Sequence, residues 1–190
     1  MKKELILRNF KNIPVLQTDR LCLRKILASD YQDMYEYSKR EDVTKYLLWN
    51  KHPSLEYTKQ YTEYLQSRYR IGDYYDWAIE LKEEKKMIGT CGFTRFDYSN
   101  NSAEIGYVLN PEYWHLGYCS EAVRKIIEFG FTTLKLNRIE AKFMKENTQS
   151  LNVMQGCGMK LEGYLRKAIY SKSEYRDIGI CAILQEDFSF

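Results

Sequence analysis

Histidine is scarce in this chain. Two copies, His52 and His115, occur among 190 residues. The five cysteines, Cys22, Cys91, Cys119, Cys157 and Cys181, are odd in number and widely spaced, and they form no CxxC pair. A zinc site or a disulfide framework needs close-set ligands or partners, so neither is expected, and no metal is assigned. Reduced thiols point to the cytoplasm. Proline appears three times, and no Pro/Gly-rich or low-complexity stretch marks a linker. One domain over residues 1–190 is therefore expected. No apolar run approaches the roughly 18 residues of a membrane span. The opening MKKELILRNF has charge but too brief an apolar run for a signal peptide. A clustered basic stripe is also missing. The 29 Lys and Arg mix with 26 Asp and Glu to a net charge of +3. A nucleic-acid interface is not signalled, whereas a mild positive bias suits a small anionic ligand.

Tyrosine is abundant, with 17 copies. It suits half-buried pleated surfaces and amphipathic packing. Leu21 and Leu23 alternate with Cys22 and Arg24, which predicts a first strand over residues 18–27. Ser29 and Asp30 open a helix to about Arg40, a short helical piece covers 43–48, and a third helix runs from 55 to about 70, closed by Gly72. Three strands joined by polar turns follow, over 75–81, 86–97 and 103–109. A helical face spans 121–134, then come a strand over 138–143, a helix over 150–157 and two strands over 161–170 and 175–188. The order predicts a mixed α/β fold around one sheet.

The chemistry concentrates in EIGYVLNPEYWHLGYCSEA, residues 104–122. It reads as strand, Pro111, a loop with Gly117, and a helix. A helix N-terminus carries unpaired N–H groups and a positive dipole end. A glycine just ahead of it lets those groups wrap a phosphate without a lysine. The small Cys119 and Ser120 leave room. A P-loop is excluded, because the GK[ST] ending is missing.

WHLGYCSEA resembles the acyl-CoA-binding motif Q/R-x-x-G-x-G/A of the GNAT superfamily. It is closer still to the W-G-x-G-Y-A-x-E-A form of the ribosomal-protein N-acetyltransferase (RimJ/RimL-like) branch. LQTDRLCLRKI, AEIGYVLNPEYW and ENTQSLNVMQGCGMKLEGYLR resemble other segments of that branch in the same order, and the likeness covers about residues 16–188. It implies the GNAT acyl-CoA N-acyltransferase fold: a central, mostly antiparallel sheet with a splayed parallel strand pair, flanked by helices. It also implies acetyl-CoA as co-substrate, and transfer to a primary amine. Three positions depart from the pattern. His115 stands where the motif has its first glycine, Gly156 where a lysine is common, and Met159 where a phenylalanine is. The tyrosine that usually serves as general acid is Met154 here.

By this resemblance, the backbone at Val108 and Leu109 bonds the pantetheine arm. Leu116, Gly117, Tyr118, Cys119 and Ser120 cradle the pyrophosphate, and Asn147 binds CoA from the next helix. An amine must be neutral to attack, so a base must take its proton, and the leaving thiolate gains from a proton. Glu104, early on the same strand, is the expected base; it also reads as a salt-bridged strand carboxylate. Ser150 is the expected acid, since Met154 has no proton to give; it also reads as a helix N-cap. His115 faces the phosphates, Cys119 is a small packing residue, and Asp177 is structural. The early helices would wall the acceptor pocket.

The acceptor stays open between a protein N-terminus and a small molecule such as a polyamine, amino acid or aminoglycoside. A slightly basic protein is a poor overall lure for a polycation. A non-catalytic acyl-CoA sensor is the rival of another class. A homodimer is implied by the resemblance.

Overall fold

The computed structural model describes residues 2–188, so residues 1, 189 and 190 of the expected domain lie outside the described residues. Leu21 and Leu23 do alternate inward, but the strand they make is short. β1 (Leu16–Gln17) and β2 (Leu21–Arg24) form a small hairpin in place of one strand over 18–27. Pairing stops at Arg24, whose guanidinium binds Asp30 at 2.7 Å and Glu80 at 2.5 Å. β3 (Asp76–Leu81), β4 (Lys86–Asp97) and β5 (Ser102–Leu109) form the expected antiparallel meander. β6 (Arg138–Met144), β7 (Lys160–Ser171) and β8 (Glu174–Leu184) complete a sheet ordered β1-β2-β3-β4-β5-β6-β8-β7. β5 and β6 are its parallel pair. The fold is thus the mixed α/β sheet that the element order predicts, with the one parallel pair that the family resemblance implies.

Helices cover both faces at the centre, which is why β4 carries a nearly continuous buried run from Met87 to Phe93. α1 (Lys2–Phe10) and α5 (Tyr118–Thr132) lie on one face; α2 (Tyr31–Ser38), α3 (Glu41–Thr44) and α4 (Leu55–Ile71) belong to the other. α5 turns Ala122, Val123, Ile126, Ile127 and Phe129 to the sheet, and Phe129 meets Trp77 edge-on at 5.7 Å. α4 is capped by Ser54, which accepts from the Tyr57 N–H, and closed by Gly72 as expected. α6 (Thr148–Gly156) lies beside α5.

Two features correct the sequence reading. The opening segment, read only as too short for a leader, forms α1, and its Phe10 is 1% exposed among Tyr75, Trp77, Phe93 and Phe129. Asp30 precedes α2, but its carboxylate does not cap that helix. It accepts from the Leu27 N–H at 2.7 Å and from Arg24 instead.

Candidate active site

β5 bonds to β4 along its length but to β6 only where residues 102–105 meet 138–141. Farther on, β5 keeps β4 as neighbour and β6 keeps β8. Each strand therefore holds one partner, and the backbone edges between them open as a fork. Unpaired N–H and C=O groups there are free for a ligand. A cavity of about 490 Å³ fills the fork. Residues 105–109, Lys142 and Phe143 line its strand side, and the starts of α5 and α6 line its mouth. Val43, Tyr46 and Leu47 reach it from the early helical region, as expected for a wall.

The mouth is built from residues 114–120. The first helical bond of α5 is Glu121 N–H to Gly117 C=O at 3.0 Å, so the N–H groups of Tyr118, Cys119 and Ser120 have no partner within the helix. α5 thus starts at Tyr118, three residues before the expected start. Tyr118, Cys119 and Ser120 form a first turn, not a loop, and their N–H groups point along the helix axis. Gly117 takes φ +81° and His115 takes φ +62°. Both are left-handed, which explains why the related motif favours glycine at the position His115 occupies.

Side chains clamp this turn from β1 and β2. Arg20 donates to the Leu116 carbonyl at 3.0 Å, ion-pairs with Glu121 at 2.7 Å, and lies over the Tyr118 ring at 4.3 Å. Thr18 donates to Glu121 at 2.6 Å. Burial alone would raise the Glu121 carboxyl, but the bonds from Thr18 and Arg20 hold it below the ordinary carboxylate range. The Trp114 indole donates to the Leu109 carbonyl at 2.8 Å. Neither Thr18, Arg20 nor Glu121 was singled out from sequence. The T-D-R and E-A pieces of the matching segments were the available signal.

Of the expected CoA contacts, Val108, Leu109, Gly117, Cys119, Ser120 and Asn147 line the cavity. Leu116 projects to solvent and Tyr118 packs under Arg20, so only their backbone is turned to this region. Burial pushes the Cys119 thiol far above its ordinary value, which suits packing and not nucleophilic attack. Ser150 lines the cavity but is not a helix cap. Asn147 is the cap: its Oδ1 accepts from the Ser150 N–H at 3.1 Å. The Ser150 hydroxyl is 2.8 Å from the Tyr107 hydroxyl, which also donates to the Ser150 carbonyl at 3.0 Å. Burial pushes the Tyr107 phenol well above its ordinary value, so it stays protonated. Met154 lies buried against the same cavity. Tyr107 went unmarked in sequence, although it precedes Val108.

Glu104 lies elsewhere. On β5 it alternates with the buried Ile105, so it faces away from α5. Lys142 ion-pairs with it at 2.5 Å. Glu104 lines a second cavity of about 360 Å³ with Arg95, Arg138 and Glu140. The structure therefore puts the two expected catalytic side chains on opposite faces of the sheet, and Lys142, on the Glu104 face, also lines the fork. Asp177 accepts from the Lys167 N–H at 2.9 Å where the β7–β8 register shifts, a structural role as expected. Among the described residues no three His, Cys, Asp or Glu side chains gather as metal ligands.

Residues 20–160 match the acetyltransferase (GNAT) domain family. An uncharacterized N-acetyltransferase of Bacillus licheniformis is 35% identical over 174 residues, covering 92% of this chain and 98% of that protein. The crystal structure of a GNAT-family acetyltransferase from Bacillus anthracis superposes with a TM-score of 0.82 at 32% identity, covering 91% of this chain and 99% of the other. Two ligand-bound structures share the fold at lower identity. One is RimL, a ribosomal-protein acetyltransferase in complex with coenzyme A (TM-score 0.77, 20% identity, 90% and 98% covered). The other is spermidine N-acetyltransferase from Vibrio cholerae with CoA and spermine (TM-score 0.75, 22% identity, 90% and 98% covered).

Proposed function

The chain belongs to the GNAT acetyltransferase family and is an acetyl-CoA-dependent N-acetyltransferase; from that premise we propose direct transfer, in one ternary complex, to a primary amine approaching from the face opposite α5. The observation that carries this reading is the fork. One cavity joins the free N–H groups at the start of α5 to the open backbone edge at residues 106–109. In this reading the pyrophosphate of acetyl-CoA sits on the Gly117–Ser120 turn with Leu116 and Tyr118 contributing backbone, the pantetheine arm runs along Val108 and Leu109, and Asn147 holds it from α6. A backbone N–H of the fork polarises the thioester oxygen as it gains charge.

The amine nitrogen attacks the thioester carbon and the C–S bond breaks. The departing sulfur takes a proton from Ser150, which is refilled from Tyr107, its partner at 2.8 Å; Tyr107 regains a proton from solvent as Glu104 releases the one it took, so the phenol is neutral again before the next turnover. This pair supplies the hydroxyl that Met154 lacks. The proton of the amine passes to Glu104 across Gly106, which has no side chain on the same face. Lys142 pairs with the Glu104 carboxylate at 2.5 Å and holds it in place.

Two acceptor classes have support: a protein N-terminal amine from the likeness to RimL, and a polyamine from the likeness to spermidine N-acetyltransferase. The exposed Leu161, Tyr164, Leu165 and Tyr170 on edge strand β7 support a homodimer. Five free cysteines support a cytoplasmic setting. The test is acetyl-CoA consumption with peptides, polyamines and aminoglycosides as acceptors. With an active acceptor, Glu104→Gln, Ser150→Ala and Tyr107→Phe are each expected to lower kcat about 10- to 100-fold, with acetyl-CoA affinity unchanged. Wild-type turnover in Glu104→Gln across pH removes that residue from the mechanism. Ser150→Ala at full rate removes the Ser150–Tyr107 path.

A further inference from the structure

One amine already stands in the fork. β5 and β6 last pair at Ile105 and Ala141, and Lys142 is the next residue on β6, where the strands begin to part. Gly106, the next residue on β5, brings no side chain of its own to this point. Among the described residues that line the fork cavity, Lys142 alone carries an amine. It shares that cavity with Val108, Leu109, Gly117 and Ser150, the residues assigned above to the cofactor and its departing sulfur.

The surroundings of Lys142 are those an acceptor amine requires. Its Nζ donates to the Glu104 carboxylate at 2.5 Å, and a Glu140 oxygen is 3.7 Å away. Side chains alternate along a strand, so Glu104, Glu140 and Lys142 share the face from which the acceptor is proposed to approach. The lysine therefore touches the proposed base and opens on the cavity of the proposed thioester. Its flexible four-carbon stem lets Nζ swing from the carboxylate into the fork. Glu104 also lines the second cavity and is 22% exposed, so a proton it takes has a route to water. Simple exposure would not pick this lysine out. Its side chain is 31% exposed, against 53% for Lys145 and 71% for Lys160.

We propose that Lys142 is an internal acceptor: with acetyl-CoA bound and no external amine present, the enzyme acetylates its own Lys142 and so closes the fork to substrate. The proposal rests on the amine-transfer reading above. Glu104 takes a proton from the Lys142 ammonium, and the neutral nitrogen attacks the thioester carbon. A C–N bond forms as the C–S bond breaks, and the electron pair leaves on sulfur. The nitrogen gives up two protons in all. One is balanced by the proton that the CoA thiol gains by way of Ser150, and the other leaves through Glu104 to water. The products are free CoA and a neutral amide on Lys142. That amide has lost the ion pair with Glu104, and its acetyl group stands where an external amine must enter.

The test incubates the intact protein with acetyl-CoA and no added amine. Intact mass, released CoA thiol and peptide mapping are followed together. The expected result is one acetyl group per chain, on Lys142, with one CoA released for each. Its rate should not change with protein concentration, because the transfer is within one molecule, and excess CoA should block it. Glu104→Gln should slow labelling of Lys142 about tenfold or more and leave labelling of Lys145 and Lys160 unchanged. The acetylated enzyme should turn over an active amine about tenfold or more slowly than the unmodified enzyme. Labelling that follows exposure, with Lys142 left unmodified, overturns the proposal. So does full turnover by enzyme completely acetylated at Lys142. Turnover of an added amine with no acetyl-Lys142 overturns it too and leaves amine transfer standing. Acetyl-CoA binding with neither acetyl-Lys142 nor turnover of any amine overturns both. The wild-type labelling pattern decides the matter even where Glu104→Gln fails to fold.

Discussion

Tyr107, Ser150, Glu104 and Asp76 differ in how far sequence reaches them. Ser150 and Glu104 were marked as acid and base from the segments that resemble a known family. Their partners were not. Tyr107 and Lys142 come from other elements, and a 2.8 Å hydroxyl contact or a 2.5 Å ion pair across strands and helices leaves no spacing in the chain. Asp76 was invisible for the same reason. An acid at the start of a strand is ordinary until the fold surrounds it with tyrosines. Its environment makes a prediction about pH. In the unfolded chain the carboxyl titrates near 3.8, and in the folded protein near 7. The proton held by the folded form contributes stability below about pH 4, and that contribution is lost as pH rises to about 7. The surrounding Tyr37, Tyr61, Tyr69 and Tyr74 stay neutral through this range. Asp76→Asn should therefore gain on the wild type as pH rises. Chemical unfolding at pH 4.5 and pH 8 is expected to show a difference in relative stability that grows by up to about 3 kcal/mol. A constant difference would mean that the carboxyl titrates normally.

At the scale of elements, α5 and the hairpin β1–β2 act as one device. The free N–H groups of α5 can hold an anion only while residues 114–117 keep two left-handed backbones in place. Arg20 and Thr18 clamp that turn through Leu116 and Glu121. Arg20→Ala is expected to weaken acetyl-CoA binding roughly 5- to 50-fold, the loss of charge-assisted bonds, while kcat at saturating acetyl-CoA changes little. Arg20→Lys should recover part of it, since a lysine cannot bridge Leu116 and Glu121 with one planar fork. Calorimetric titration with CoA reads both. The sequence placed this helix correctly but three residues late, because apolar periodicity starts at Ala122 whereas the backbone already turns helical at Tyr118. α6 was late for a related reason. Asn147, counted as a CoA contact, is also the cap that starts it.

At the scale of the whole molecule, the two faces of the sheet divide the work. The α5 face holds the Gly117 turn proposed for the cofactor and the Tyr107–Ser150 pair; the other face holds Glu104, Asp76 and the tyrosines. The opening helix stabilises the first face from outside the site. Phe10→Ala empties a place among five aromatic rings and should cost about 3–5 kcal/mol in chemical unfolding, while acetyl-CoA affinity is retained in the folded fraction. A loss well below 1 kcal/mol would show that α1 is only loosely docked. The chain by itself determined the α/β class, the meander, the long helices and the strand–turn–helix at residues 104–122, because periodicity, turn residues and a glycine before a helix are local properties; that this unit takes acetyl-CoA is what the family resemblance implies. Only the tertiary structure decided where β5 and β6 part, which hydroxyl meets Ser150, and which carboxylate lies among tyrosines. Those depend on which strands keep their hydrogen-bonded neighbours and which side chains a glycine lets pass, and both are settled by contacts between residues far apart in the chain.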